Sequence, residues 1–328
     1  MTSSNNNKNL PAGGVIKKPR ALVPGDRVAL LSPASRPKSL VEVARARALV
    51  EQMGFVPVTG EHALATHGYL AGSDADRLAD LNAAIADSSV RAIIFLTGGY
   101  GSLRLLEKID YRALAADPKI VLGGDETTCI LLAMRKLAGL VTFYGANLDR
   151  VRSPGAIADL ESVLTSSAVL PPVAGNRDVT ASRFCFAPVA GKKVTGEITG
   201  GNLSALCSLM GTRYQVDTDD CIVALTDRNE RFDILDRWFS NLYVSGRMER
   251  FAGIACGEFE NCGPRDSRNL LSLEDMFADR LVRLSLPSCF NLPFGEGPGC
   301  RILPIGIQAS FDAGAGRIEL AEPALSPG

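Results

Sequence analysis

Histidine is almost missing from this chain. Only His62 and His67 occur in 328 residues, so nothing beyond residue 67 can serve as an imidazole base. An excess of one charge is missing too: 35 basic and 36 acidic residues leave a net charge of −1. With no polybasic run, the composition gives no reason to expect nucleic acid or a membrane surface as a partner. No 18-residue apolar run exists and the N-terminus lacks a signal-peptide core, which together predict a soluble, cytoplasmic protein. The eight cysteines, at 129, 185, 207, 221, 256, 262, 289 and 300, form no C-x-x-C pair. The closest two, Cys256 and Cys262, have poor spacing for zinc and no histidine nearby. The set reads as buried thiols in a reducing compartment.

What remains is enough for two ordinary domains: 328 residues, 46% of them hydrophobic. Residues 1–19 are rich in Ser and Asn and read as a disordered tail. From Arg27 to about residue 150, short apolar strands alternate with amphipathic helices, as in RVALLSPAS, YLAGSDADRLADLNAAIAD and RAIIFLTGGYGSLRLLEKI. Ser73 or Asp74 is a plausible N-cap in the second of these. Such alternation predicts an α/β domain over 20–150, Rossmann-like, with a mostly parallel sheet. Residues 151–195, rich in Ser, Pro and Ala, read as a connection. Residues 196–328 read as an α+β domain rich in β-strands, with more antiparallel character; Ser272 and Asp275 suggest a helix start there.

The stretch with chemical meaning is KIVLGGDETTCILLAMRK, residues 119–136. A short strand is broken by Gly123 and Gly124, and after Asp125 the apolar residues Ile130, Leu131, Met134 and Leu137 recur at helical spacing. Strand, tight turn and helix N-terminus make a nucleophile elbow, where a serine usually stands. Here the presented residue is Asp125. Ligands of parallel sheets gather at the carboxyl ends of the strands, so Gly98, Gly99, Tyr100 and Gly101, which end the preceding strand, should share a crevice with it.

With these motifs placed, the chain resembles the LD-carboxypeptidase family of serine peptidases, family S66, which includes the microcin C immunity peptidases. The resemblance runs from about residue 20 to 320 and rests on PGDRVALLSPAS, YLAG with RLADLNAAI, GGYGSLRLL, the elbow, GGNLSAL, the helix around Trp238, and GEFENC ahead of SLEDMF. It implies a cytoplasmic enzyme of peptidoglycan recycling that trims D-alanine from tetrapeptides through a Ser-Glu-His triad. It also implies a homodimer, with the muropeptide bound between a Rossmann-like N-terminal and a β-rich C-terminal domain. At the triad positions this chain departs. The family's elbow GFSD stands here as Gly123-Gly124-Asp125-Glu126, its LED as Leu225-Thr226-Asp227, and its LPSGHG as Leu292-Pro293-Phe294-Gly295-Glu296-Gly297. Serine, glutamate and histidine are thus replaced by Asp125, Thr226 and Glu296.

Attack by a serine needs a base and an orienting group, and none of the three is present. Two acids across a sugar-binding cleft are instead the usual equipment for glycosidic cleavage. The substitutions therefore predict a muropeptide glycosidase or lytic transglycosylase with Asp125 and Glu296 as catalytic residues. Proximity should split their pKa values; the helix N-terminus favours the charged form of Asp125, leaving Glu296 as the better acid. Gly99, Tyr100, Gly101, Glu126, Asn202, Thr226 and Asp227 are the expected substrate-binding residues. Asn202 either orients Glu296, binds ligand or serves a local turn. The alternatives are an inactive muropeptide-binding homologue, in which Asp125 merely caps a helix, and a residual LD-carboxypeptidase. No cofactor is expected. Glu126 and Asp227 add carboxylates nearby without the histidine or spacing of a metal site. His62 and His67 read as loop residues and Trp238 as core.

Overall fold

The computed structural model describes residues 16–175, 185–186, 192–263, 271–297 and 299–328. In the first half, β1 (Arg27–Leu31), β2 (Val56–Thr59), β3 (Val90–Phe95), β4 (Ile120–Gly123) and β5 (Thr142–Tyr144) pair in parallel. Their runs, such as VRAIIF and IVLG, are buried because helices cover both faces. Helices α1 (Leu40–Gln52), α2 (Asp74–Ala86), α3 (Tyr111–Ala116) and α4 (Thr128–Ala138) make the crossovers. Ser73 and Asp76 form a reciprocal capping box at the start of α2. The mixed α/β fold with a parallel sheet is as the sequence predicts.

Two features escaped sequence reasoning in this half. Helix α5 (Pro154–Thr165) lies in the stretch read as a connection; Ser153 caps it and Pro154 takes a first-turn position. Residues 16–19, at the end of the expected tail, run beside α4's end, where the Lys17 N–H donates to the Gly139 carbonyl at 2.8 Å.

In the second half, β6 (Val173–Ala174), β7 (Cys185–Phe186), β8 (Val194–Asn202), β9 (Ile222–Arg228), β10 (Gly253–Glu260) and β11 (Ser288–Cys289) are joined by α6 (Leu203–Ser208), α7 (Phe232–Val244) and α8 (Leu273–Arg283). The last strands are β12 (Leu303–Ile305), β13 (Gln308–Asp312) and β14 (Arg317–Leu320). The second sheet has the order β6-β14-β13-β8-β9-β10-β11-β7. Its centre, β8 to β11, is parallel, and antiparallel pairing is confined to the flanks. Strand β12 leaves this half and pairs antiparallel with β5, giving the first sheet the order β12-β5-β4-β3-β1-β2. Cys185 and Cys289 are register partners on β7 and β11 and form a disulfide. This corrects the reading of all eight cysteines as free thiols: the two are 104 residues apart, and no local spacing announces the pairing.

Helix α4 decides where the site lies. It is buried from Thr128 to Met134, as expected of a helix apolar all round. It contacts β4 and β5 on one side and β8 and α6 on the other, so its N-terminus is held between the two sheets. No helix of the described residues is long and apolar enough to cross a membrane.

Candidate functional site

Between β4 and α4 the chain makes the turn that the sequence predicts. Gly124 is extended, and Asp125 adopts a left-handed φ of 54°, a conformation that Asp tolerates better than most residues. The Thr127 hydroxyl donates to the Gly124 carbonyl at 2.6 Å and the Thr128 hydroxyl to that of Asp125 at 2.7 Å, which locks the turn. Asp125 does not cap α4. Its Oδ2 accepts from the Gly99 N–H at 3.0 Å, so the loop after β3 and the loop after β4 meet at this carboxylate.

Glu296 arrives from 171 residues away. Its loop is fastened by the Glu258 N–H on the Phe294 carbonyl (3.0 Å), the Arg301 N–H on the Pro293 carbonyl (2.8 Å) and Arg150 Nε on the Glu296 carbonyl (2.9 Å). The side chain is buried. Its Oε1 accepts from the Asp125 N–H at 2.5 Å and from the Tyr144 hydroxyl at 3.1 Å. Its Oε2 is buried without a partner among the described residues. Burial, then the charge of Asp125, pushes the Glu296 carboxyl up to about 8, against the opposing pull of these two donors. Glu296 is therefore mostly protonated at neutral pH.

Gly124 makes this approach possible. A methyl there would stand 2.2 Å from the Gly145 carbonyl oxygen and 2.9 Å from the Glu296 carboxyl carbon. Gly124→Ala should cost about 1–3 kcal/mol by overpacking and push Glu296 off the elbow. A lowered melting temperature together with a Glu296 titration moved from its wild-type midpoint would show both effects.

The other expected residues divide. Thr226, at the end of β9, hydrogen-bonds the Tyr144 hydroxyl and so belongs with the pair. Gly99 belongs through its N–H; Gly99 and Gly101 both take positive φ. Tyr100 is half exposed and meets Tyr69 edge-on, ring centroids 5.6 Å apart. Glu126 turns away: its carboxylate accepts from the Ser102 N–H at 3.0 Å, and burial raises its pKa. Asn202 caps α6 through the Ala205 N–H (2.9 Å) and donates to Asp227 at 2.9 Å. Asp227 also accepts from the Ser204 N–H and hydroxyl, at 3.0 and 2.6 Å. Asn202 and Asp227 thus hold α6 to β9, the Asn202 side chain serving as a local cap, while the Asn202 N–H donates to the Thr128 hydroxyl of the elbow turn at 3.1 Å. His62 sits on Asp80 at 2.8 Å, and Trp238 packs against the core. Among the described residues no group of three or more His, Cys, Asp or Glu is arranged to hold a metal ion.

Sequence reasoning missed Tyr144, Asn147 and Arg150. Asn147 Oδ1 accepts from the Gly124 N–H at 3.1 Å. Their signal was available: LVTFYGAN is the strand next to the elbow strand, and its carboxyl end must open on the same crevice. A cavity of 950 Å³ lies at the other end of α4, around Arg135, Lys136, Glu197 and Asp217, and includes none of the residues of the acid pair.

Two family models match the chain, the LD-carboxypeptidase N-terminal domain over residues 28–145 and the LD-carboxypeptidase C-terminal domain over residues 195–311. A Bacillus subtilis protein named "Probable murein peptide carboxypeptidase" is 30% identical, over 95% of this chain and 96% of its own. The murein tetrapeptide carboxypeptidase of Pseudomonas aeruginosa is 30% identical, over 87% and 93%. A solved structure of MccF in complex with glutamyl sulfamoyl guanosine shares the fold at a TM-score of 0.83 and 22% identity, covering 94% of this chain and 99% of that one.

The two curated relatives are named as carboxypeptidases of murein peptides. The expectation of a glycosidase or lytic transglycosylase, in place of a carboxypeptidase, is thereby overturned. Its weakness is physical: a pair of acids does not choose the bond, because two carboxyls sharing a proton also drive water onto a peptide carbonyl. By both halves of its length, and by its likeness to these carboxypeptidases, the chain belongs to the LD-carboxypeptidase family.

Proposed function

We propose that this protein removes the terminal residue of a murein-type peptide, with a water molecule activated between Asp125 and Glu296. The observation that carries this reading is the hydrogen bond that seats Glu296 on the Asp125 N–H, with Glu296 held up to about 8. We take Asp125, Thr226 and Glu296 to stand at the family's serine, glutamate and histidine positions. With a carboxylate on the elbow, direct attack by water replaces the acyl-enzyme.

Asp125, steadied by the Gly99 N–H, takes a proton from water as its oxygen bonds to the scissile carbonyl carbon. Glu296 Oε2, buried and without a partner among the described residues, gives its proton to the carbonyl oxygen as the bound peptide reaches it. When the carbon–nitrogen bond breaks, the leaving nitrogen takes the proton from Asp125, and collapse of the tetrahedral intermediate returns the other to Glu296. One water is consumed and both acids end as they began. Gly99, Tyr100 and Gly101, on the loop that meets Asp125 through the Gly99 N–H, are the peptide contacts in this reading.

The test is product identity. Incubation with a muropeptide tetrapeptide in water enriched in heavy oxygen should release free alanine and leave one heavy oxygen in the shortened peptide's new carboxylate. Sugar-bond cleavage with the peptide stem intact, or no product at all, would refute the reading.

A further inference from the structure

Glu296 Oε1 receives two hydrogen bonds, and the donors differ in kind. The Asp125 backbone N–H can only donate. The Tyr144 hydroxyl carries one proton and can turn it either way. Which way it turns depends on Thr226, whose hydroxyl touches the same phenol oxygen. Tyr144 and Thr226 are both buried, so no bulk water competes for these positions.

We propose that Thr226 and Tyr144 form a directional relay, Thr226 donating to Tyr144 and Tyr144 to Glu296 Oε1, which confines the exchangeable proton of Glu296 to Oε2. Tyr144 is then a positioning residue for the acid. With both Oε1 sites taken by donors, a proton on that oxygen would meet the Asp125 N–H with no acceptor, whereas Oε2 has no partner among the described residues. The relay decides which oxygen of Glu296 can give a proton away. Thr226 suits its place because it must donate as well as sit close; a carboxylate there would only accept and would draw the Tyr144 proton off Glu296. Burial holds the Tyr144 phenol well above its usual range, so it remains a donor at every pH at which the acid works.

The charges of Arg150, after β5, and Arg228, at the end of β9, act on Glu296, and Glu258 on β10 lies beside its loop. Arg150 and Arg228 both pair with Glu260. Neither arginine is hydrogen-bonded to the Glu296 carboxylate among the described residues. Asp125 N–H and Tyr144 are thus the two donors that distinguish its oxygens.

The inference rests on the peptidase reading for its use, and is tested apart from it. Carbon-13 at the glutamate carboxyls, with the Glu296 resonance assigned by its loss in Glu296→Gln, follows the titration directly. Tyr144→Phe removes a donor that favours the ionised acid, so the midpoint should move up from about 8. Turnover near pH 7 should fall at least about tenfold, with KM within about twofold. Thr226→Val should move both in the same direction by less, and Thr226→Ser, which keeps the hydroxyl, should leave the midpoint nearer the wild-type value than Thr226→Val does. An unmoved midpoint in Tyr144→Phe overturns the relay; should that variant not fold, an unmoved midpoint in Thr226→Val does so. A shifted midpoint in a protein that cuts no muropeptide keeps the relay and sinks the peptidase reading.

Discussion

Glu296→Gln is expected to abolish muropeptide hydrolysis, by at least about a hundredfold, while leaving the fold intact. The amide matches the carboxyl in shape and still accepts at Oε1, so the Asp125 N–H and Tyr144 keep their partner. It has no proton to give. The same substitution should change how stability depends on pH. The folded carboxyl sits at about 8 against an ordinary 4.5. The folded state therefore holds a proton that the unfolded chain has already lost. That contribution is fully present below the unfolded value and drains away as pH rises through the folded one, by up to about 1.4 kcal/mol per pH unit in between. Glu126, Asp227 and Asp149 are also raised by burial and act in the same direction, so the measurement is the difference between wild type and variant. Denaturant unfolding at mildly acid and mildly alkaline pH should show that difference shrinking as pH rises. A constant difference would mean that Glu296 titrates in the folded state as it does unfolded.

Asp125→Asn should stop turnover just as thoroughly and move the acid the other way. An amide at 125 cannot take a proton from water, so a loss of about a hundredfold or more is expected. Asn tolerates the left-handed φ as Asp does, and the Gly99 N–H keeps an oxygen to bond, so the elbow survives. What leaves is the negative charge, the second cause of the rise at Glu296. The Glu296 midpoint should therefore fall. Opposite shifts in Asp125→Asn and Tyr144→Phe would separate a charge effect from a hydrogen-bond effect on one carboxyl. A variant that retains near-full turnover would remove Asp125 from the chemistry. In the wild type, activity should decline as pH rises past about 8 and Glu296 loses its proton.

The residues read correctly from sequence are those whose role is local. The glycine turn of GGD and the apolar spacing of α4 lie within twenty residues, and their geometry follows from backbone sterics. Ser73, one of the two expected candidates, is the N-cap of α2, and the structure adds Asp76 as its reciprocal partner. What the sequence left unread is contact between distant segments. Asn202 and Asp227 join α6 to β9, and the signal for Tyr144 was its place in the sheet. Cys185 and Cys289 meet only because β7 adds to β11.

Sequence alone settled that a carboxylate, Asp125, follows the glycines of the elbow turn, and that no histidine occurs after residue 67. Those are matters of covalent order and backbone preference. The tertiary structure decided that Glu296 rests on the Asp125 N–H beside Tyr144, buried deeply enough to keep its proton. A carboxyl's pKa is set by what surrounds it in space, and here those surroundings are assembled from both sheets.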